Sequence, residues 1–124
     1  MTRSARLALI LVAVAACSAP AAAGGDYLLS EGLIDGPSSL SGAGASTLHV
    51  SNVGEFTHTL VVTDDEGEVI AATDLVVPGA EATLEVDLQP GTYVFSCRIV
   101  SQDDEGNLID HFESGMHRTV TVRG

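Results

Sequence analysis

An all-β fold, a two-sheet sandwich wound as a Greek key, is what three features of this 124-residue sequence predict. Strand-like runs follow one another from Asp26 to the end, turn residues fill the gaps, and no apolar pattern of helical period is long enough to anchor a helix. About seven short strands in roughly a hundred residues is the signature of a sandwich.

The chain begins outside that fold. Arg3 and Arg6 give a basic start, residues 7–16 are an apolar run too short to span a bilayer, and Val14-Ala15-Ala16-Cys17 closes it with small residues before a cysteine. This resembles a bacterial lipoprotein signal. Residues 1–16 are expected to be a cleaved leader, Cys17 the lipidated first residue of the mature chain, and residues 17–25, rich in Ala, Pro and Gly, a flexible tether. The domain then occupies 26–124. Cleavage as an ordinary secretory signal is the alternative; either way the protein is exported, and in the first case it is anchored on the extracytoplasmic face of a bacterial membrane.

Export places the chain where two cysteines would ordinarily pair. Here Cys17 sits in the tether and, if acylated, has no free thiol, so Cys97 is expected to be a lone thiol. Past the leader, Arg98, Arg118 and Arg123 stand against seventeen acidic residues with no lysine, a formal net charge of −14. That surface disfavours nucleic acid and anionic lipid and suits a basic partner; plain solubility is the simpler reading of the same charge.

The expected strands, in order, are DYLLSEGLI, STLHVSN, THTLVVTD, EVIAATDLVV, EATLEVDL, GTYVFSCR and HRTVTVR. Between them stand Asp35-Gly36-Pro37, Asn52-Val53-Gly54, Asp65-Glu66-Gly67, Pro78-Gly79 and Pro90-Gly91. The clearest is EATLEVDL, where Ala82, Leu84, Val86 and Leu88 alternate with Glu81, Thr83, Glu85 and Asp87, one face core and one face solvent. In GTYVFSCR the alternation puts Tyr93, Phe95 and Cys97 inward, Val94 and Ser96 outward. Tyr93, just after Pro90-Gly91, suits either a tyrosine corner or a plain core position.

The same parity sorts the residues that carry chemistry. Met116 shares a face with Val120 and Val122, and His58 with Leu60 and Val62, whereas His49 and His117 fall on outward faces. His58 alone could be a purely structural histidine. Together, His58, Cys97, His111 and Met116 supply two imidazoles, a thiolate and a thioether. Two His and one Cys in a plane with a weak axial Met form the blue-copper electron-transfer arrangement, in which sulfur favours Cu(I) and imidazole suits both oxidation states.

From Asp26 to Arg123 the chain resembles the cupredoxins, the blue copper family of plastocyanin and azurin. The resemblance rests on the Asn52-x-Gly54 turn before His58, the Pro78-Gly79 turn, Pro90-Gly91-Thr92-Tyr93 leading to Cys97, and His111-Phe112-Glu113-Ser114-Gly115-Met116 before a Thr-Val-Thr-Val strand. It implies one type 1 copper ion with His58, Cys97 and His111 as equatorial ligands and Met116 as the axial one. Two departures stand out. Thirteen residues separate Cys97 from His111 where the family has a few, and Thr59 follows the first histidine where the family commonly has Asn. Gly106-Asn107, between Ile99-Val100 and Leu108-Ile109, marks the insertion as a small hairpin that either returns His111 to its place or displaces it.

The implied function is that of a membrane-tethered monomer that carries single electrons to a redox partner protein and is not an enzyme. Storage or delivery of copper is an alternative, as is a metal-free sandwich serving as a surface interaction module. The acidic insertion, with Asp103, Asp104, Glu105 and Asp110, is expected to lower the copper potential and to offer a docking face to a basic partner.

Overall fold

The computed structural model describes residues 24–124; the leader, Cys17 and the tether as far as residue 23 lie outside the described residues. Two sheets face each other, with no helix among the described residues. One sheet has the order β2-β1-β4-β7, from β2 (Leu33–Asp35), β1 (Gly24–Ser30), β4 (Gly44–Asn52) and β7 (Glu81–Leu88). The other has the order β3-β11-β8-β5-β6, from β3 (Ser39–Ser41), β11 (His117–Arg123), β8 (Gly91–Ser96), β5 (Val61–Thr63) and β6 (Val69–Ala72). A separate hairpin, β9 (Val100–Gln102) and β10 (Leu108–Asp110), projects between Cys97 and His111.

The chain crosses from one sheet to the other between β2 and β3 and back between β3 and β4. This leaves β1 parallel to β4 and β3 parallel to β11, while the remaining pairs are antiparallel. The inner faces follow the period-2 pattern: Leu84 and Leu88 of β7, Val120 and Val122 of β11, and Tyr93 and Phe95 of β8 are buried. Tyr27 and Phe95 meet from opposite sheets with ring centroids 5.1 Å apart and tilted by 58°, a favourable aromatic geometry at the centre of the core. Cys97 and Met116 close this core at one end.

Four expectations need correction. The first strand includes Gly24 and Gly25, ahead of the expected strand start at Asp26, because they pair with Thr47 and Leu48 of β4; glycines carry no side-chain alternation, so their pairing left no pattern to read. The run DYLLSEGLI is not one strand but the hairpin β1–β2, turned at Glu31-Gly32 with Gly32 at φ 76°. The runs around His58 and Leu75 are mostly irregular: His58 and Val76 form an isolated bridge, and Thr73 bonds Leu60 through both its Oγ1 and its N–H. Ser96 is buried rather than outward, since it pairs with both Val61 and His117 in mid-sheet and its Oγ accepts from Arg98 Nε at 3.3 Å.

Tyr93 occupies the corner position, its hydroxyl donating to Gln89 O at 2.7 Å across the turn into β8. Replacing Tyr93 by Phe keeps the buried ring and removes this one bond. The expected cost is about 1 kcal/mol, read as a lower urea midpoint at unchanged slope; an unaltered midpoint would show that the corner bond contributes nothing net.

Candidate metal centre

Three chain segments converge at the end of the sandwich. The first carries His58 and is shaped by Asn52, whose buried amide donates to Phe56 O at 2.8 Å and Val76 O at 2.7 Å and accepts from Gly54 N–H at 2.8 Å. Asn52 thus folds residues 52–56 into a loop and delivers His58 to its bridge with Val76, where the imidazole is fully buried. The second segment is the end of β8, where Cys97 N–H bonds Met116 O at 3.0 Å. The third is the turn at residues 111–115, where His111 N–H bonds Ile99 O and Met116 N–H bonds His111 O, each at 3.0 Å.

The insertion therefore returns His111 to the site. Ser101 pairs with Ile109 and Val100 with Asp110, so the hairpin closes on itself. Its alternation turns Ser101 and Ile109 partly inward and leaves Val100, Gln102, Leu108 and Asp110 exposed. The turn is held by Asp103, whose Oδ1 accepts from Glu105 N–H at 2.9 Å and Asn107 N–H at 2.8 Å; bonds from the Asn107 side chain and then its backbone lower the Asp103 pKa.

His58 Nδ1 lies 3.1 Å from His111 Nδ1, and Cys97 Sγ lies 4.0 Å from the first and 3.6 Å from the second. All three residues are buried. In a triangle with these sides, the point equidistant from the corners lies about 2.1 Å from each, within the range of about 2.0 to 2.3 Å for metal bonds to imidazole and thiolate. The outer ring nitrogens are occupied: His58 Nε2 meets Glu31 Oε2 at 2.9 Å and His111 Nε2 meets Ser101 Oγ at 2.7 Å. An ionised carboxylate only accepts, so His58 Nε2 carries a proton. In neutral His58 the Nδ1 lone pair is then aimed at the centre of the triangle. Burial, followed by the neighbouring His58, lowers the pKa of His111, keeping this imidazole neutral and available as a donor.

Thr59 N–H points at Cys97 Sγ at 3.5 Å, with Thr59 Oγ1 at 3.8 Å, so the threonine that replaces the expected asparagine still bonds the sulfur. Met116 is fully buried and joined through its backbone to both Cys97 and His111. His49 and His117 are exposed, as their parity predicts, and His117 stacks on Phe112 with centroids 4.6 Å apart. Among the described residues, His58, Cys97 and His111 form the one cluster of histidine, cysteine and carboxylate donors close enough to hold a metal ion.

No family model matches the sequence, and no curated protein does. Solved structures match it well. Dithionite-reduced auracyanin from the photosynthetic bacterium Roseiflexus castenholzii superposes with a TM-score of 0.63 at 21% identity, covering 85% of this chain and 100% of that one. The azurin Az-iso2 from Methylomonas sp. strain J gives 0.63 at 14% identity, over 84% of this chain and all of its own. The fold is that of the cupredoxins. In this cupredoxin fold the three converging donors lie at one end of the sandwich, on the segment before β5, the end of β8 and the turn before β11.

Two residues at this site escaped the sequence reading. Glu31 looked like part of a continuous strand, and the only hint against that was the Glu-Gly pair, a turn signal. Ser101 carries no sequence signal beyond its parity with Ile99. Glu31 accepts from Glu55 N–H through both oxygens at 3.0 Å and from Phe56 N–H at 3.1 Å, as well as from His58. The Glu55 bond foremost, then those from His58 and Phe56, hold its pKa at about 2, below the ordinary 4.5.

Because the folded value lies below the unfolded one, Glu31 contributes stability that is fully present above about pH 4.5 and is lost as pH falls through about 2. In acid titrations of the metal-free protein, Glu31→Gln should be less stable than wild type near neutral pH. The gap should close as the pH falls through this window, and a gap constant with pH would contradict the assignment.

Proposed function

We propose that this protein is an extracytoplasmic type 1 (blue) copper protein that carries single electrons, held at the membrane through a lipidated Cys17. The observation that supports it best is the buried triangle of two imidazole nitrogens and one thiol sulfur around a point at bonding distance from all three. Soft sulfur with imidazole is the donor chemistry of copper, and a buried three-donor set differs from the closed four-donor tetrahedron of structural zinc. Copper, when bound, supplies a one-electron couple between Cu(II) and Cu(I).

The residues divide the work. His58, Cys97 and His111 would hold the ion, and Met116, tied by its backbone to two of them, would offer a further, weaker sulfur donor. Thr59 N–H points at the sulfur from outside the triangle, at 3.5 Å. Backbone bonds outside the triangle fix the segments that carry all three donors, an arrangement that would let a bound ion change oxidation state with little movement of the protein. Phe56 stacks on His111 with centroids 6.4 Å apart and is itself half-exposed, bringing an aromatic surface beside the site. Neither His49 nor His117 joins a second such cluster among the described residues.

The partner is a redox protein with a basic docking surface, met by this chain as a monomer and steered by the formal net charge of −14 that remains past the leader. Asp104 and Glu105 at the exposed tip of the hairpin contribute to that field. Asp103 and Asp110 have a second task, because both cap turns, Asp110 accepting from Phe112 N–H at 3.0 Å.

Cu(II) added to the purified domain should produce an intense visible charge-transfer band. Cys97→Ser should abolish it, since a hydroxyl does not replace the soft donor, and Met116→Leu should keep the colour while shifting the potential. A colourless wild-type complex would refute the reading. For the anchor, Cys17→Ala should move the protein from the membrane fraction to the soluble fraction; an unmodified mature terminus elsewhere, by mass spectrometry, would remove Cys17 from the account.

A further inference from the structure

Among the described residues Glu31 is the acidic side chain whose carboxylate meets a donor of the metal site, with Oε2 at 2.9 Å from His58 Nε2. We infer that Glu31 is a positioning residue that fixes His58 as an Nδ1 donor and biases the centre toward its oxidised ion. The first half stands on the metal-free geometry, and only the second rests on the copper reading above.

The carboxylate sits on the ring edge opposite the proposed metal-binding nitrogen, at 2.9 Å from His58 Nε2. With the proton held on Nε2, Nδ1 is left to face His111 Nδ1 and Cys97 Sγ. A negative acceptor on the outer N–H also makes the ring more electron-rich and its inner nitrogen a stronger donor. A negative charge near the centre favours the more positive oxidation state, so the oxidised ion gains more than the reduced one. His111 receives no such help, because its outer partner is the uncharged hydroxyl of Ser101.

The placement of Glu31 is built into the fold. Its oxygens are held by Glu55 and Phe56 N–H groups from the loop that leads to His58. Gly54 leaves the room, since a Cβ there would clash with the Glu31 carboxylate. The Glu31-Gly32 turn in its turn lies against the His111–Met116 loop, where a Cβ on Gly115, at φ 119°, would meet Gly32 O at 2.6 Å. Glu31 thus joins two of the three ligand-bearing segments. That alone would make it a structural staple, so its test needs readouts that a staple would not move.

Nitrogen NMR of the histidine rings in the metal-free protein at neutral pH should show His58 protonated at Nε2 in the wild type, with that preference lost in Glu31→Ala. In the copper-loaded protein, Glu31→Gln keeps the shape and removes the charge. It should reduce the ratio of Cu(II) to Cu(I) affinity by about tenfold, a rise in potential of about 59 mV for one electron. Ser101→Ala, at the uncharged partner, should shift the potential less. A wild-type His58 without a proton on Nε2, or a potential unchanged in Glu31→Gln, overturns the inference and leaves Glu31 a staple. If wild-type protein binds copper without a blue band, the blue-copper reading fails while the NMR result and the affinity ratio still decide the role of Glu31.

Discussion

Two ring nitrogens and a sulfur converge to within 3.1 to 4.0 Å in the buried end of this sandwich, and the rest of the molecule's functional end exists to hold them there. Electron-rich atoms facing one another are a costly arrangement in a protein interior, so the scaffold must impose it. It does so by tying each donor's backbone to another segment of the site: His58 to Val76, Cys97 to Met116, Met116 to His111, and His111 to Ile99. No donor can drift without breaking a buried backbone bond. A site organised this way is fixed by the chain's own backbone bonds.

The hairpin between Cys97 and His111 is part of that scaffold. Closing a longer loop costs only slightly more entropy than closing a short one, and β9 and β10 offset some of that cost by pairing with each other. The insertion also gives something back, because Ser101 reaches His111 Nε2 and Ile109 lines the cleft of about 90 Å³ beside both imidazoles. Sequence distance between candidate donors is therefore a poor guide to their distance in space when the intervening residues fold on themselves.

The environments of the two histidines differ. His58 is buried behind a carboxylate, while His111 is paired with a hydroxyl and stacked with the half-exposed Phe56. Arg98 stacks over Phe112 at 4.1 Å, and Phe112 stacks on His117, so the outer face of the ligand loop is braced by side chains that follow Cys97, His111 and Met116 directly in sequence. The donors point inward and their immediate neighbours clamp the surface, a consequence of strand alternation at the ends of β8 and β11.

Alternation made much of this legible. The inward parity of Phe95, Cys97, Met116, Val120 and His58, the outward parity of His49 and His117, the corner role open to Tyr93 and the hairpin around Gly106-Asn107 were all readable from residue order, because period 2 and turn chemistry are local properties. Residue order did not reveal the start of β1 at Gly24, where glycines have no pattern to show, or the parallel pairings of β1 with β4 and β3 with β11, which arise from crossings between sheets. Nor did it reveal the burial of Ser96, set by strands on both sides. Glu31 and Ser101 belong to the same class: each meets a histidine 27 or 10 residues away, through contacts set by where a turn and a hairpin come to rest. The sequence by itself determined which donors are present and which way they face. Only the tertiary structure decided that three of them share one point and which groups stand behind their rings, because distances between segments depend on how the sheets cross and pack.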